Sequence, residues 1–158
     1  MIDRDRIGMT GHSIGGNSAA SAMAADQRIR AGVNMDGKFF DPFPVGGLGG
    51  RPFLILGTQS VHNPSGSDTS WNEAWARMDG WKRWLSVTGS DHGSFTDGPL
   101  IGARAGLPDP ETTLAPLRAE KITRAYVGAF FDLQLKGIQQ QLLDRPSAAY
   151  PEVVFQRP

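Results

Sequence analysis

The chain contains no cysteine among its 158 residues. Disulfides, thiol nucleophiles and cysteine metal sites are therefore excluded. Neither charge sign is in excess: Lys and Arg total 16, Asp and Glu total 16. No basic stretch marks a nucleic-acid surface and no block of like charge marks a tail, so no nucleic-acid partner is expected. No run of about 18 apolar residues occurs, so no transmembrane segment is expected. No leader is expected in this stretch either, because Met1-Ile2-Asp3-Arg4-Asp5-Arg6 is polar and runs into a strand. The compartment is left open. Histidine is scarce: any imidazole chemistry falls to His12, His62 or His92. Glycine and proline, in contrast, are plentiful at 20 and 11 residues, with 39% hydrophobic residues. That balance suits one globular domain with many turns between alternating strands and helices.

Read along the chain, Arg6 to Thr10 forms a short strand and Ile14 to about Ala25 a helix rich in Ala and Ser. Ala31 to Asp36 is a second strand, closed by Asp36-Gly37. Phe39 to Gly50 is a loop whose prolines and glycines prevent regular structure, while its aromatic side chains require a dry environment. Pro52 to Thr58 is a continuous apolar run, as in a parallel strand covered on both faces. After a polar loop, Trp71 to Met78 is a helix with Trp71, Trp75 and Met78 on one face. Trp81 to Thr88 returns as a strand, and Gly89 to Gly93 turns. Leu117 to about Leu135 is a long helix with Ile122, Tyr126, Val127, Phe130 and Phe131 inward. Residues 144–158 read as an irregular tail. Alternation of this kind predicts an α/β fold: a mostly parallel sheet with flanking helices. Reactive groups then belong at the carboxyl ends of the strands.

Three such ends carry Ser13, Asp36 and His92. Ser13 lies in Gly11-His12-Ser13-Ile14-Gly15, between a strand and a helix, which is the setting of a nucleophile elbow. Glycine is expected at 11 and 15 because a side chain there would collide with the neighbouring strand or helix. A serine hydroxyl needs a base to remove its proton. Imidazole suits that role, and a carboxylate fixes its tautomer and stabilises the imidazolium. In elbow hydrolases the chain order is Ser, then Asp or Glu, then His, as here. His92 follows the last strand of the series and is the expected base. His12 precedes the serine and reads as a packed histidine pointing away, and His62 comes too early to fit the usual order. Asp91 reads as a turn former. For the acid, Asp36 competes with Asp68 and Asp41: in most such folds the acid follows the next-to-last strand, where no carboxylate occurs until Asp68. An Asp-Gly turn is the purely structural alternative for Asp36. The Ile14 N–H is an expected oxyanion donor, with no second donor evident. Phe39, Phe40, Phe43, Leu48, Trp71 and Trp75 are candidate pocket residues, with core packing as the competing role. No cofactor or metal is implied, because the histidines and acids lack ligand spacing.

Gly-His-Ser-Ile-Gly-Gly, the stretch Asp26 to Gly37 and Gly89-Ser90-Asp91-His92 together resemble the plasma-type (type II) platelet-activating-factor acetylhydrolase family and its bacterial relatives. The resemblance runs from about Asp3 to Asp97 and more loosely through the last helix. It implies an α/β-hydrolase fold with the acid one strand early, at Asp36. It also implies a calcium-independent serine esterase acting on short or oxidised acyl chains or other small esters. Set against that family, residues 1–143 correspond to the C-terminal catalytic portion. The family's first strands and the loop giving one oxyanion donor have no counterpart here. The alternative reading is a catalytically incomplete fragment acting as a binding or assembly module. A peptidase or thioesterase on the same three residues is a third, because such a triad does not choose the leaving group.

On this reading the strand bearing Ser13 becomes a sheet edge with unpaired backbone. The chain alone is then expected to be unstable, to aggregate, or to pair with another copy or a missing N-terminal half. Sedimentation and thermal unfolding check this: a monomer with one cooperative transition and full activity would contradict it.

Overall fold

Side-chain alternation along three central strands builds two separate cores on opposite faces of one sheet. A computed structural model describes residues 3–107 and 112–157. Residues 1, 2 and 108–111 of the expected 1–143 unit, and residue 158 of the tail, lie outside the described residues. The strands are β1 (Ile7–His12), β2 (Ile29–Met35), β3 (Phe53–Thr58), β4 (Lys82–Val87) and β5 (Val153–Arg157). They lie side by side in that order. The first four pair in parallel, and β5 pairs antiparallel with β4. The helices are α1 (Ile14–Ala25), α2 (Ser70–Arg77), α3 (Gly98–Arg104) and α4 (Pro116–Lys136).

Successive strand residues point to opposite faces. Leu54 and Leu56 of β3, with Leu85 and Val87 of β4, therefore meet Ile122, Tyr126 and Phe130 of α4. Phe53 and Ile55 of β3, with Trp84 of β4, meet Ala19, Ala20 and Met23 of α1 and Trp71 and Trp75 of α2. Every residue of β3 is buried, as its unbroken apolar run requires of a central strand covered on both sides. The mostly parallel sheet with helices on both faces is the predicted α/β architecture.

The segment read as an irregular tail contains β5. Val153 is 3% exposed, and Val87 and Leu85 of β4 face Val153 and Phe155 across the pair. The run Val153-Val154-Phe155 is too short to stand out by periodicity. Its pairing is antiparallel because the chain after α4 passes the start of β4, where Arg83 donates to Leu143 O, and reaches the far end, where Thr88 N–H donates to Glu152 O, before β5 turns back along it. Helix α3 also lies where no helix was expected, and none of its residues is buried. In the proline- and glycine-rich loop, Phe39, Phe43 and Leu48 are buried against Phe53, as their apolarity required. The Asp79 carboxylate holds that loop by accepting the N–H groups of Leu48 and Gly50 at 2.8 and 2.9 Å.

Phe130 is fully buried between α4 and the sheet. Phe130→Ala is expected to lower unfolding free energy by about 3–5 kcal/mol. Urea denaturation checks this, through a lower midpoint at an unchanged slope.

Candidate active site

Sharp turns at the carboxyl ends of β1 and β2, and the turn that follows β4, bring three side chains to one point. At the end of β1, Ser13 has φ 57° and ψ −126°. That left-handed conformation is strained for any residue with a Cβ and is commonly stored at reactive positions. It is held by two backbone hydrogen bonds: Ser13 N–H donates to Met35 O at 2.9 Å, and Gly16 N–H donates to Ser13 O at 2.9 Å. The turn closes only because Gly11 lacks a side chain, since a Cβ there would lie 2.2 Å from the Gly15 backbone. Gly15 itself has open space where a Cβ would stand, so no collision requires it to be glycine. The tighter position is Gly16, whose Cβ would lie 2.0 Å from Asn34 Oδ1. Helix α1 begins at Ile14, so the Ile14 N–H belongs to the first turn, which has no intrahelical acceptor.

At the end of β2, Asp36 also has positive φ, 53°. Aspartate tolerates this region better than most residues. Its turn is fixed by Asn34, whose side chain donates to Gly37 O at 2.7 Å and accepts Gly37 N–H at 2.8 Å. The Trp71 indole N–H donates to the same Gly37 carbonyl at 2.8 Å. Asp36 thus sits inward, 3% exposed. Burial alone would raise its carboxyl. The His62 contact, the Thr58 N–H at 2.6 Å and His92 outweigh burial and hold it below the usual carboxylate range.

After β4, one 3₁₀ turn, His92–Phe95, carries His92. Asp91 caps that turn, accepting the Ser94 N–H at 2.9 Å and the Ser94 hydroxyl at 2.5 Å, so it is the turn former that was expected. His92 Nδ1 lies 2.7 Å from Asp36 Oδ2, and its Nε2 lies 3.0 Å from Ser13 Oγ. Ser13, His92 and Asp36 therefore form one hydrogen-bonded line. Of the competing acids, Asp41 lies near Asn17 of α1. Asp68 is engaged by His62 Nε2 at 3.1 Å and by the Ser70 N–H at 2.9 Å.

Two histidines take places that the sequence did not indicate. His12 does not point away: its Nε2–H donates to the His92 carbonyl at 2.8 Å, and the rings lie 4.4 Å apart. Burial, the largest influence, holds the His12 imidazole below its ordinary value, which favours its neutral form, and its hydrogen bond braces the His92 turn. His62 is buried and reaches the second oxygen of Asp36, Nδ1 to Oδ1 at 2.7 Å. The only sequence signal for either was the scarcity of histidine.

A cavity of about 660 Å³ opens over this line, within the range of small-molecule sites. Its walls include Ser13, His92, Lys38, Phe40, Val61 and Asp91. Of the six candidate pocket residues, Phe40 alone lines it, with its side chain largely exposed. Phe39, Phe43, Leu48, Trp71 and Trp75 are buried in the core instead. Alternation explains Phe39 and Phe40: adjacent residues of an extended loop point opposite ways, one inward and one over the cavity. Among the described residues no helix is long and apolar enough to cross a membrane.

A sequence model of the family described as "Platelet-activating factor acetylhydrolase, isoform II" matches residues 1–105. The chain is 38% identical to a protein of Arthroderma benhamiae named "Probable 1-alkyl-2-acetylglycerophosphocholine esterase", over 95% of this chain and 43% of that protein. It is 29% identical to the platelet-activating factor acetylhydrolase of Cavia porcellus, over 67% of this chain and 25% of that protein. A solved structure, a ferulic acid esterase from Streptomyces cinnamoneus, superposes with a TM-score of 0.89 at 44% identity. That alignment covers 99% of this chain and 48% of the esterase. The chain thus spans less than half the length of each of these relatives.

Because folding lowers the Asp36 carboxyl, its charged form favours the native state. That contribution is complete above the unfolded value, near pH 4, and is lost as pH falls through the lower native value. Asp36→Asn is therefore expected to lose less stability than wild type between about pH 5 and pH 2. Urea midpoints across that range check it, and parallel curves would contradict it.

Proposed function

The chain belongs to the platelet-activating factor acetylhydrolase, isoform II, family, and on that premise we propose that it carries the Ser-His-Asp machinery of a carboxylic ester hydrolase. One observation carries the reading: a serine at a left-handed strand-to-helix turn, with His92 Nε2 3.0 Å from its hydroxyl and Asp36 2.7 Å from the other ring nitrogen. In this reading residues 1–143 are the C-terminal catalytic portion of an α/β-hydrolase unit.

Neutral His92 keeps its proton on Nδ1, donated to Asp36, and leaves the Nε2 lone pair toward Ser13. Ser13 Oγ attacks the ester carbonyl carbon as its proton passes to His92 Nε2. The Ile14 N–H donates to the developing oxyanion. As the tetrahedral adduct collapses, the C–O bond breaks and His92 returns the proton to the leaving alcohol. Water then attacks the acyl-serine, giving its proton to His92. Collapse of the second adduct regenerates Ser13 and releases the carboxylic acid. Asp36 orients the imidazole and stabilises its cation throughout.

Short-acyl esters, acetyl esters of glycerophospholipids among them, are the proposed substrates, in keeping with the relatives' names. A second reading, esters of aromatic acids, is favoured by the exposed Phe40 ring over the cavity and by the ferulic acid esterase among the similar structures.

Exposure to a fluorophosphonate followed by intact mass measurement tests the proposal. One adduct is expected in the parent chain and none in Ser13→Ala. Asp36→Asn is expected to slow labelling by up to about 10⁴-fold, the loss typical when the tautomer is no longer fixed. A folded chain that takes no adduct would overturn the assignment.

A further inference from the structure

Asp36 offers one oxygen to His92 and the other to His62, which has no part in the hydrolytic cycle above. His62 lies in the loop after β3 and is 4% exposed. Its ring stacks on Trp71 with centroids 4.1 Å apart and planes at 22°. Its peptide is fixed on both sides: the N–H donates to Thr58 O at 2.8 Å, and the C=O accepts the Trp84 indole N–H at 2.9 Å. Both ring nitrogens face carboxylates, Nδ1 at 2.7 Å from Asp36 Oδ1 and Nε2 at 3.1 Å from Asp68 Oδ2. A neutral imidazole has one N–H and one lone pair, whereas an ionised carboxylate only accepts. At these distances a lone pair facing a carboxylate oxygen is repulsive. Two carboxylates on two ring nitrogens are both satisfied by an imidazolium.

We propose that His62 is a positioning residue for the Ser13–His92–Asp36 line: held doubly protonated by Asp68, it pins Asp36 Oδ1 so that Oδ2 faces His92. This rests on the ester-hydrolase reading. Two effects follow. Without His62, the Thr58 N–H is the remaining donor to Oδ1 among the described residues, and the carboxylate gains freedom to turn. The His62 cation also offsets part of the Asp36 charge that His92 faces. The charged and titratable groups around His62 are Asp36 at the end of β2, Asp68 before α2, and His92 across Asp36. Lys38 and Asp91 line the same cavity. Trp71 of α2 and Trp84 of β4 pack on it without charge.

The test has two readouts on the parent chain and its variants. Long-range ¹H–¹⁵N spectra of the histidine-labelled protein are expected to show both His62 ring nitrogens protonated. In Asp68→Asn, one of the two should lose its proton. The rate of Ser13 phosphonylation is then followed against pH. His62→Phe keeps a ring on Trp71 but loses both contacts. Labelling should fall about 10- to 100-fold, as for a hydrogen bond to a charged group, and its acid limb should move to higher pH. His62→Asn restores an N–H toward Asp36 and should recover part of the rate, while its acid limb stays displaced.

A singly protonated His62 with normal labelling overturns the positioning role alone. So does a His62→Phe variant that melts earlier yet keeps the wild-type acid limb. A parent chain that takes no phosphonate overturns the hydrolase reading, and the positioning role with it.

Discussion

The site depends on the Asp36 carboxylate being buried, charged and divided between two histidines. A charge so placed is costly unless every lone pair is directed at a donor. Thr58 N–H and His62 take one oxygen and His92 takes the other. These partners come from the end of β3, the loop after it, and the turn after β4. One side chain thereby ties together three consecutive connections on the same edge of the sheet.

The backbone beneath is arranged to hold that carboxylate in place. Asp36 adopts positive φ because the chain must turn at the end of β2 while the side chain stays inward. Asn34, buried in β2, closes the turn on Gly37 with a reciprocal pair of hydrogen bonds. Gly37 lies so near Ser13 that a Cβ there would stand 2.1 Å from the Ser13 carbonyl. Gly16 of α1 presses on the same Asn34 amide. The Ser13 turn and the Asp36 turn are thus packed directly on one another. Strain at both is offset by the rigid β1–β2–β3 pairing beneath them.

Aromatic residues divide between support and access. Trp71 stacks on His62 and donates to Gly37, so it serves the site from within the core. Trp84 fixes the His62 carbonyl from β4. Phe40 alone of the aromatic candidates reaches the cavity, beside Lys38. The wall over Ser13 therefore carries an aromatic ring at one point and a lysine and an aspartate at others.

Much of the fold and the central line of the site was legible in the residues themselves. Period-two alternation, the unbroken run Phe53–Thr58 and the helical spacing of Trp71, Trp75 and Met78 identify elements through local geometry, which neighbouring residues set. That Ser13, Asp36 and His92 would meet was foreseeable because parallel sheets gather their carboxyl ends on one edge, whatever the distance along the chain. Other features were decided only by tertiary packing. β5 owes its strand to the free side of β4, a partner some seventy residues away in sequence. The roles of His12 and His62 depend on rings meeting a carbonyl and a carboxylate brought in by other elements. Sequence spacing carries no record of such encounters. Local order follows from adjacent residues, whereas the protonation and orientation of a buried group follow from whichever side chains the completed fold sets against it.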